Sequence, residues 1–203
     1  MKRLVLFFGC FGLLVLGACT GVPQAEPTAT HQPSPTVAEA LSLEEAADQV
    51  IQALAVQDLE SVAAFVHPQQ GVRFSPYAYI HEEHQVFMAE DLAGLMPSEQ
   101  VFIWGSYDGS GEPIDLTFEE YFEEFIYSSD FANADQVAVN ERLGQGNTIN
   151  NIEEFFPEAS YVEYYIPGTE EYGGMDWESL RLVFLQEDGV WMLVGIVHDE
   201  WTI

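Results

Sequence analysis

Histidine and arginine are scarce in this chain, so their positions are where chemistry would start. His81-Glu82-Glu83-His84 sets two imidazoles three residues apart with carboxylates between them. On a helix that spacing places both rings on one face. There they could meet one metal ion or exchange a proton with a carboxylate. The spacing is not the His-Glu-x-x-His of zinc proteases, whose histidines stand four apart. The plainer reading is exposed polar residues on a helical turn, and no metal and no cofactor are expected. His198 is followed by Asp199, but neighbouring side chains on a strand point to opposite faces, so the two cannot form a dyad with each other. His198 shares its face with Met192 and Ile196, as a core or rim histidine does. An imidazole titrates near neutrality. His198 and His81 are therefore the two candidates for acid–base work in a pocket. Asp108-Gly109-Ser110-Gly111-Glu112 has oxygen ligands at alternate positions, like half a calcium loop, but lacks the closing bidentate glutamate and reads as a turn.

The formal net charge is -29 over 203 residues. Lys2 and Arg3 open the chain; beyond them the only cationic side chains besides histidine are Arg73, Arg142 and Arg181. No basic patch is available to neutralise phosphate, which excludes nucleic acid as a partner. Each of the three arginines sits in an apolar or extended stretch. Each can form a structural ion pair with one of many carboxylates, or hold an anionic ligand group bidentately. Arg73 is the first choice for the second role, since Tyr77 and Tyr79 follow at strand spacing. Tyr77, Tyr79, Trp104, Tyr164 and Trp201 are the aromatics expected to line or rim a pocket. There is no glycine-rich phosphate loop and no nucleophile elbow.

These residues need elements to position them. Leu180–Gln186 and Val190–Ile203 are strand-like runs separated by Glu187-Asp188-Gly189, a strong hairpin signal. Strict alternation puts Trp191, Leu193, Gly195, Val197 and Asp199 on one face of the last strand, and Met192, Val194, Ile196 and His198 on the other. Ser42-Leu43-Glu44-Glu45 is a capping box opening an amphipathic helix to about Gln57, and Asp58 caps a second, short helix that stops before Pro68. Gly71–Ile80 reads as extended chain and His81–Met96 as helix or irregular. Val101–Tyr107 reads as a strand followed by a turn. Thr117-Phe118-Glu119-Glu120 is a second capping box. Strands are expected at Gln136–Leu143 and Ser160–Ile166, with long loops after each. Helices first and strands last argue an α+β domain with a mainly antiparallel sheet.

The amino terminus has a different character. Met1-Lys2-Arg3 is basic, Leu4–Leu16 is an apolar run too short to span a bilayer comfortably, and Leu16-Gly17-Ala18-Cys19 follows. Residues 1–19 resemble a bacterial lipoprotein signal peptide with its lipobox. That resemblance implies cleavage after Ala18, acylation of Cys19 and anchoring in the bilayer on the extracytoplasmic face of the cell membrane. Cys10 would leave with the peptide, so the mature chain could form no internal disulfide. Residues 19–38 carry Pro23, Pro27, Pro33 and Pro35 among Thr, Ala, Gln and Ser, the composition of an unfolded tether.

Residues 39–203 form the expected domain. The element order, and AVQDLESVAAFVHP after a first amphipathic helix, resemble the NTF2-like (SnoaL-like) cone, a curved sheet wrapped on N-terminal helices with a pocket at its mouth. GVRFSPYAYI, GMDWESLRLVF and VGIVHDEWTI are also similar to secreted bacterial proteins with no assigned activity. NTF2-like domains include both enzymes and non-catalytic modules, so the fold does not choose between them. Two readings stay open. One is a non-catalytic module holding a small molecule or a protein through Arg73, Tyr77, Tyr79, Trp104 and His198. The other is a pocket enzyme of the isomerase or hydrolase type using His198 or His81. A homodimer would show as an apolar outer sheet face.

Overall fold

The longest regular feature of the computed structural model, which describes residues 40–202, is the closing hairpin of Glu178–Glu187 and Val190–Glu200. The lipobox, Cys19 and the tether lie outside the described residues. Asp188 and Gly189 both take positive φ, 50° and 82°, as a two-residue hairpin turn requires, so Asp-Gly is the right dipeptide there.

In chain order the elements are α1 (Leu43–Ala55), α2 (Leu59–Ala63), β1 (Val72–Ser75), β2 (Val86–Phe87), α3 (Ala89–Leu92), β3 (Val101–Ser106), β4 (Pro113–Thr117), α4 (Phe118–Tyr121), β5 (Gln136–Val139), α5 (Ile152–Phe155), β6 (Ser160–Ile166), β7 (Glu178–Glu187) and β8 (Val190–Glu200). Both capping boxes are formed. Ser42 Oγ accepts from the Glu45 amide at 3.1 Å while Glu45 accepts from the Ser42 amide at 2.8 Å, and Thr117 and Glu120 repeat the exchange. α4 widens after one turn into a π-helical turn, Phe122–Ile126. Among the described residues no helix is long and apolar enough to cross a membrane.

Six strands make one sheet in the order β2-β1-β8-β7-β6-β5, and β3 and β4 form a separate hairpin. Every neighbour pairs antiparallel except β1 with β8, which run parallel, Ser75 opposite Val197. The chain is thus α+β with a mainly antiparallel sheet. One face of the sheet receives α1 through Ala46, Ala47, Val50, Ile51 and Leu54, all buried, against Val162, Leu180, Leu182 and Ile196. Truncating a residue so placed, Ile51→Ala for example, costs about 2–5 kcal/mol through lost transfer energy and the cavity left.

The alternation expected for β8 breaks at one residue. Val183 pairs with Gly195 but Phe184 pairs with Leu193, so Val194 is a bulge. Leu193 and Ile196 therefore share the helix-covered core, whereas Val194 and Val197 join the cluster on the outer face. The end of α2 docks at this bulge: Leu193 donates to the Phe65 carbonyl at 2.7 Å and His67 donates to the Leu193 carbonyl at 3.0 Å. The interior under the β3–β4 hairpin is filled by aromatic rings. Trp104 stacks on Tyr121 at 3.8 Å, and Phe74 meets Trp104, Phe118 and Tyr121 edge-on.

Candidate functional site

An open cleft of about 480 Å³ lies beyond the carboxyl ends of β1 and β8, between residues 76–84 and the turn that joins β3 to β4. Tyr77, Tyr79, His81, Glu83, His84 and Asp108 give it its chemistry. Its two walls are held by different means.

Arg73 builds the first wall. Its Nη1 donates to the carbonyls of His81, Glu82 and His84 at 3.2, 2.9 and 2.7 Å, and its guanidinium lies over the Phe155 ring at 5.1 Å. The segment His81–His84 is therefore a bend gathered around a cation and not a helical turn, and His84 is buried rather than exposed. Ser75 Oγ lies 3.0 Å from His84 Nδ1 and 2.8 Å from the Tyr77 carbonyl. Ile80 is buried, with its amide and carbonyl both held by the Asn151 side chain at 2.7 and 3.0 Å. With Ile80 pinned, Tyr79 and His81 flank it as a ridge, their rings 4.8 Å apart.

The turn Tyr107–Glu112 makes the second wall. Tyr107 donates to the Glu112 carbonyl and Gly111 to the Tyr107 carbonyl. Asp108 Oδ2 accepts from Thr148 and Thr202, both at 3.0 Å, tying the turn to the end of the chain. Gly105 has φ 140°, and a Cβ there would stand 3.2 Å from His84 Nε2, so the glycine lets the β3 backbone lie against the imidazole.

Burial, with His81 and Arg73 adding to it, holds the His84 pKa down to about 4, so the ring is neutral at pH 7. Burial likewise pushes the Tyr77 phenol up to about 12, against a hydrogen bond from the Asp108 amide that opposes the shift. The cleft thus presents the neutral His84 ring and the Tyr77 phenol beside Glu83 and Asp108. Among the described residues no three histidine, cysteine or acidic side chains are grouped to hold a metal ion.

The outer face of the sheet carries a second charged assembly. Arg181, Glu163 and Asp199 are all fully buried. Arg181 Nη2 donates to Glu163 at 3.0 Å and to Asp199 at 2.7 Å, and Arg142 reaches Asp199 at 2.9 Å. The Leu143 and Gly144 amides cap Glu163, both at 2.9 Å. Burial works against the Arg181 charge, but Glu163 and Asp199 together more than offset it, and its pKa is raised. Two arginines and two carboxylates balance.

Of the residues singled out in the sequence, Tyr77, Tyr79 and His81 come together in the cleft. Arg73 stands behind its wall, occupied by backbone carbonyls. Trp104 is in the core, its indole N–H donating to the Leu116 carbonyl at 2.9 Å. His198 is buried between Phe125 and Phe131, at 5.8 and 6.5 Å, with neither ring nitrogen hydrogen-bonded among the described residues and Glu200 3.9 Å away. Asp108 is in the cleft wall, although its segment read as an ordinary turn. Asn151 carries no signal in the sequence, since a single amide in a loop does not show what it clamps.

Fold and cleft together define an α+β domain with an open, acidic, aromatic cleft. No family model matches the chain, and no curated protein matches it. Among solved structures it is similar to a protein from Xanthomonas campestris described as a calcium/calmodulin dependent protein kinase II association domain, at 15% identity and TM-score 0.30, covering 75% of this chain and 81% of that one. A DUF4783 family protein from Bacteroides ovatus matches at 10% identity and TM-score 0.32, over 81% of this chain and 99% of the other. An NTF2-like designed protein matches at 11% identity and TM-score 0.27, over 74% and 90%. The architecture itself stands on the strand order and helix placement described above.

Proposed function

We propose that this chain is a lipid-anchored, extracytoplasmic binding module whose ligand enters the cleft between Tyr79 and Asp108. The cleft carries the reading. It is open to solvent and bordered by tyrosines and carboxylates, and the histidine set deepest in it is held neutral and tied to Ser75. Of the two candidates for acid–base work, His198 lies among aromatic rings and does not line the cleft, while His81 lines it as part of the ridge with Tyr79. An NTF2-like architecture is compatible with such a module. The anchoring rests on the lipobox Leu16-Gly17-Ala18-Cys19 and on the proline-rich tether that would lift the domain from the bilayer.

Both halves are open to direct tests. Mass spectrometry of the mature amino-terminal peptide should find diacylglycerol on Cys19, and Cys19→Ser should move the protein into the soluble fraction. An unmodified Cys19 in the membrane fraction would remove the anchor. An NMR fragment screen on the full chain in nonionic detergent should give shift changes centred on Tyr77, Tyr79 and Asp108. Shifts centred elsewhere would reject the cleft.

A further inference from the structure

We propose that the ligand is an elongated polycation, a chain bearing two or more separated amines, which lies across Tyr79 from one acidic depression to the next; this rests on the reading of the cleft as a binding site. Tyr79 is the common wall of three depressions. One is the cleft of about 480 Å³, the second measures about 760 Å³ and the third about 410 Å³. The residue is 42% exposed, and the chain next to it is pinned where Asn151 clamps Ile80, so Tyr79 forms an aromatic saddle on a held stretch of backbone. Grooves that meet at one residue suit a long ligand better than a compact one.

Charge gives the ligand its sign. Glu83 and Asp108 lie on one side of Tyr79, Glu153 and Glu154 on the other, and Glu82 beside them. Arg142 lines the second depression, but it is paired with Asp199, and that pair belongs to the balanced network with Arg181 and Glu163. Arg73 is directed at three carbonyls behind the wall. Residues 40–202 hold no lysine, and among them Arg73 is the one arginine in no salt bridge; its charge reaches Glu82 and leaves Glu83, Asp108, Glu153 and Glu154 in excess along the groove. An anionic ligand would meet like charge on both sides of the saddle. An ammonium would meet carboxylates, and between them the negative face of a phenol ring.

Calorimetry on the full chain in nonionic detergent tests this with spermine as the elongated polycation. Putrescine is the short diamine, tetraethylene glycol the elongated neutral chain, maltotetraose a sugar and tripolyphosphate the polyanion. Spermine should bind at least tenfold tighter than putrescine and weaken as salt rises. The glycol, the sugar and tripolyphosphate should give no heat of binding. Tyr79→Ala, and separately Glu83→Gln combined with Glu153→Gln, should each weaken spermine at least tenfold. Glu44→Gln with Asp48→Asn removes two carboxylates from the exposed face of α1, away from the groove, and should change affinity less than twofold. Equal losses in the α1 variant would overturn the proposal, because attraction to net charge alone would then explain binding. Putrescine as tight as spermine would also overturn it. Glycol or sugar binding that is lost in Tyr79→Ala would sink the polycation while leaving the cleft as a binding site. Silence from every probe would overturn the polycation outright, and the fragment screen then decides the cleft separately.

Discussion

On the helix-covered face of the large sheet, Leu180, Leu182 and Ile196 are buried against α1 by apolar contact alone. On the opposite face, Arg181, Glu163 and Asp199 are buried as deeply and are held by charge. The cleft differs from both. Its carboxylates are open to water and its arginine is hidden behind the wall. The same scarce residue type therefore serves two ends: Arg181 neutralises buried charge, and Arg73 shapes a backbone. An apolar face tolerates imperfect packing gradually. A buried charge network does not, because removing one member leaves the others without partners in a medium that solvates them poorly.

The largest predicted effect follows from that difference. Arg181→Met should cost about 3–5 kcal/mol of unfolding free energy, since Glu163 would remain buried without a cation and Asp199 with only the partly exposed Arg142. Urea unfolding followed by fluorescence measures it. A loss below about 1 kcal/mol would mean that water reaches the network and solvates the charges left behind. Adding Glu163→Gln and Asp199→Asn should recover part of the loss. That would separate the cost of stranded charge from the cost of lost packing.

A smaller effect should distinguish the cleft wall from the network through pH. His84 has an ordinary pKa of 6.5 and a folded value of about 4, lowered first by burial. Between those values the unfolded chain takes up a proton that the folded chain declines. Stability from the neutral ring is therefore complete above about pH 6.5, falls as pH drops toward about 4, and changes no further below that. The difference is at most about 3 kcal/mol at 1.36 kcal/mol per unit, and less where solvent screens the site. Comparing wild type with His84→Gln isolates this histidine from the many carboxylates that also titrate in acid. The variant should lose less stability than wild type between pH 7 and pH 4. Parallel curves would mean that the folded chain protonates His84 as readily as the unfolded one, and that burial does not hold its pKa down.

Much of this arrangement is legible in the chain, and the limits have physical causes. The closing hairpin is announced by Asp188-Gly189 because so few residues take two positive φ angles in succession. The caps at Ser42 and Thr117 are local chemistry and so can be read locally. The bulge at Val194 cannot: it depends on how β8 meets both β7 and the end of α2, and a single extra residue reverses the alternation on which a face assignment depends. β4 was hidden because Pro113–Thr117 is short and runs straight into a helix cap, and its pairing with β3 makes it a strand. An ion pair for Arg181 could be anticipated from the shortage of cations. Its partners could not, since Glu163 and Asp199 reach it from the two neighbouring strands only in this register. The spacing of His81 and His84 leaves helix and irregular chain both open, and three carbonyls turned toward one guanidinium decide for the irregular bend.

The smallest predicted effect is the sharpest test of the contrast between scaffold and site. Among the described residues Tyr79 makes no side-chain hydrogen bond; the bonds that hold this stretch belong to its neighbour Ile80. Its ring is partly exposed and rests beside His81. Tyr79→Ala should therefore change unfolding free energy by no more than about 0.5 kcal/mol, as a surface substitution does, while Ile80→Ala, which empties a buried position in the outer cluster, should cost about 2–5 kcal/mol. Adjacent residues with a severalfold difference in stability cost are what a pinned backbone presenting an exposed aromatic ring requires. If Tyr79→Ala destabilised the domain as much as Ile80→Ala, the ring would be part of the core that holds the cleft together, and its exposure would need no ligand to explain it.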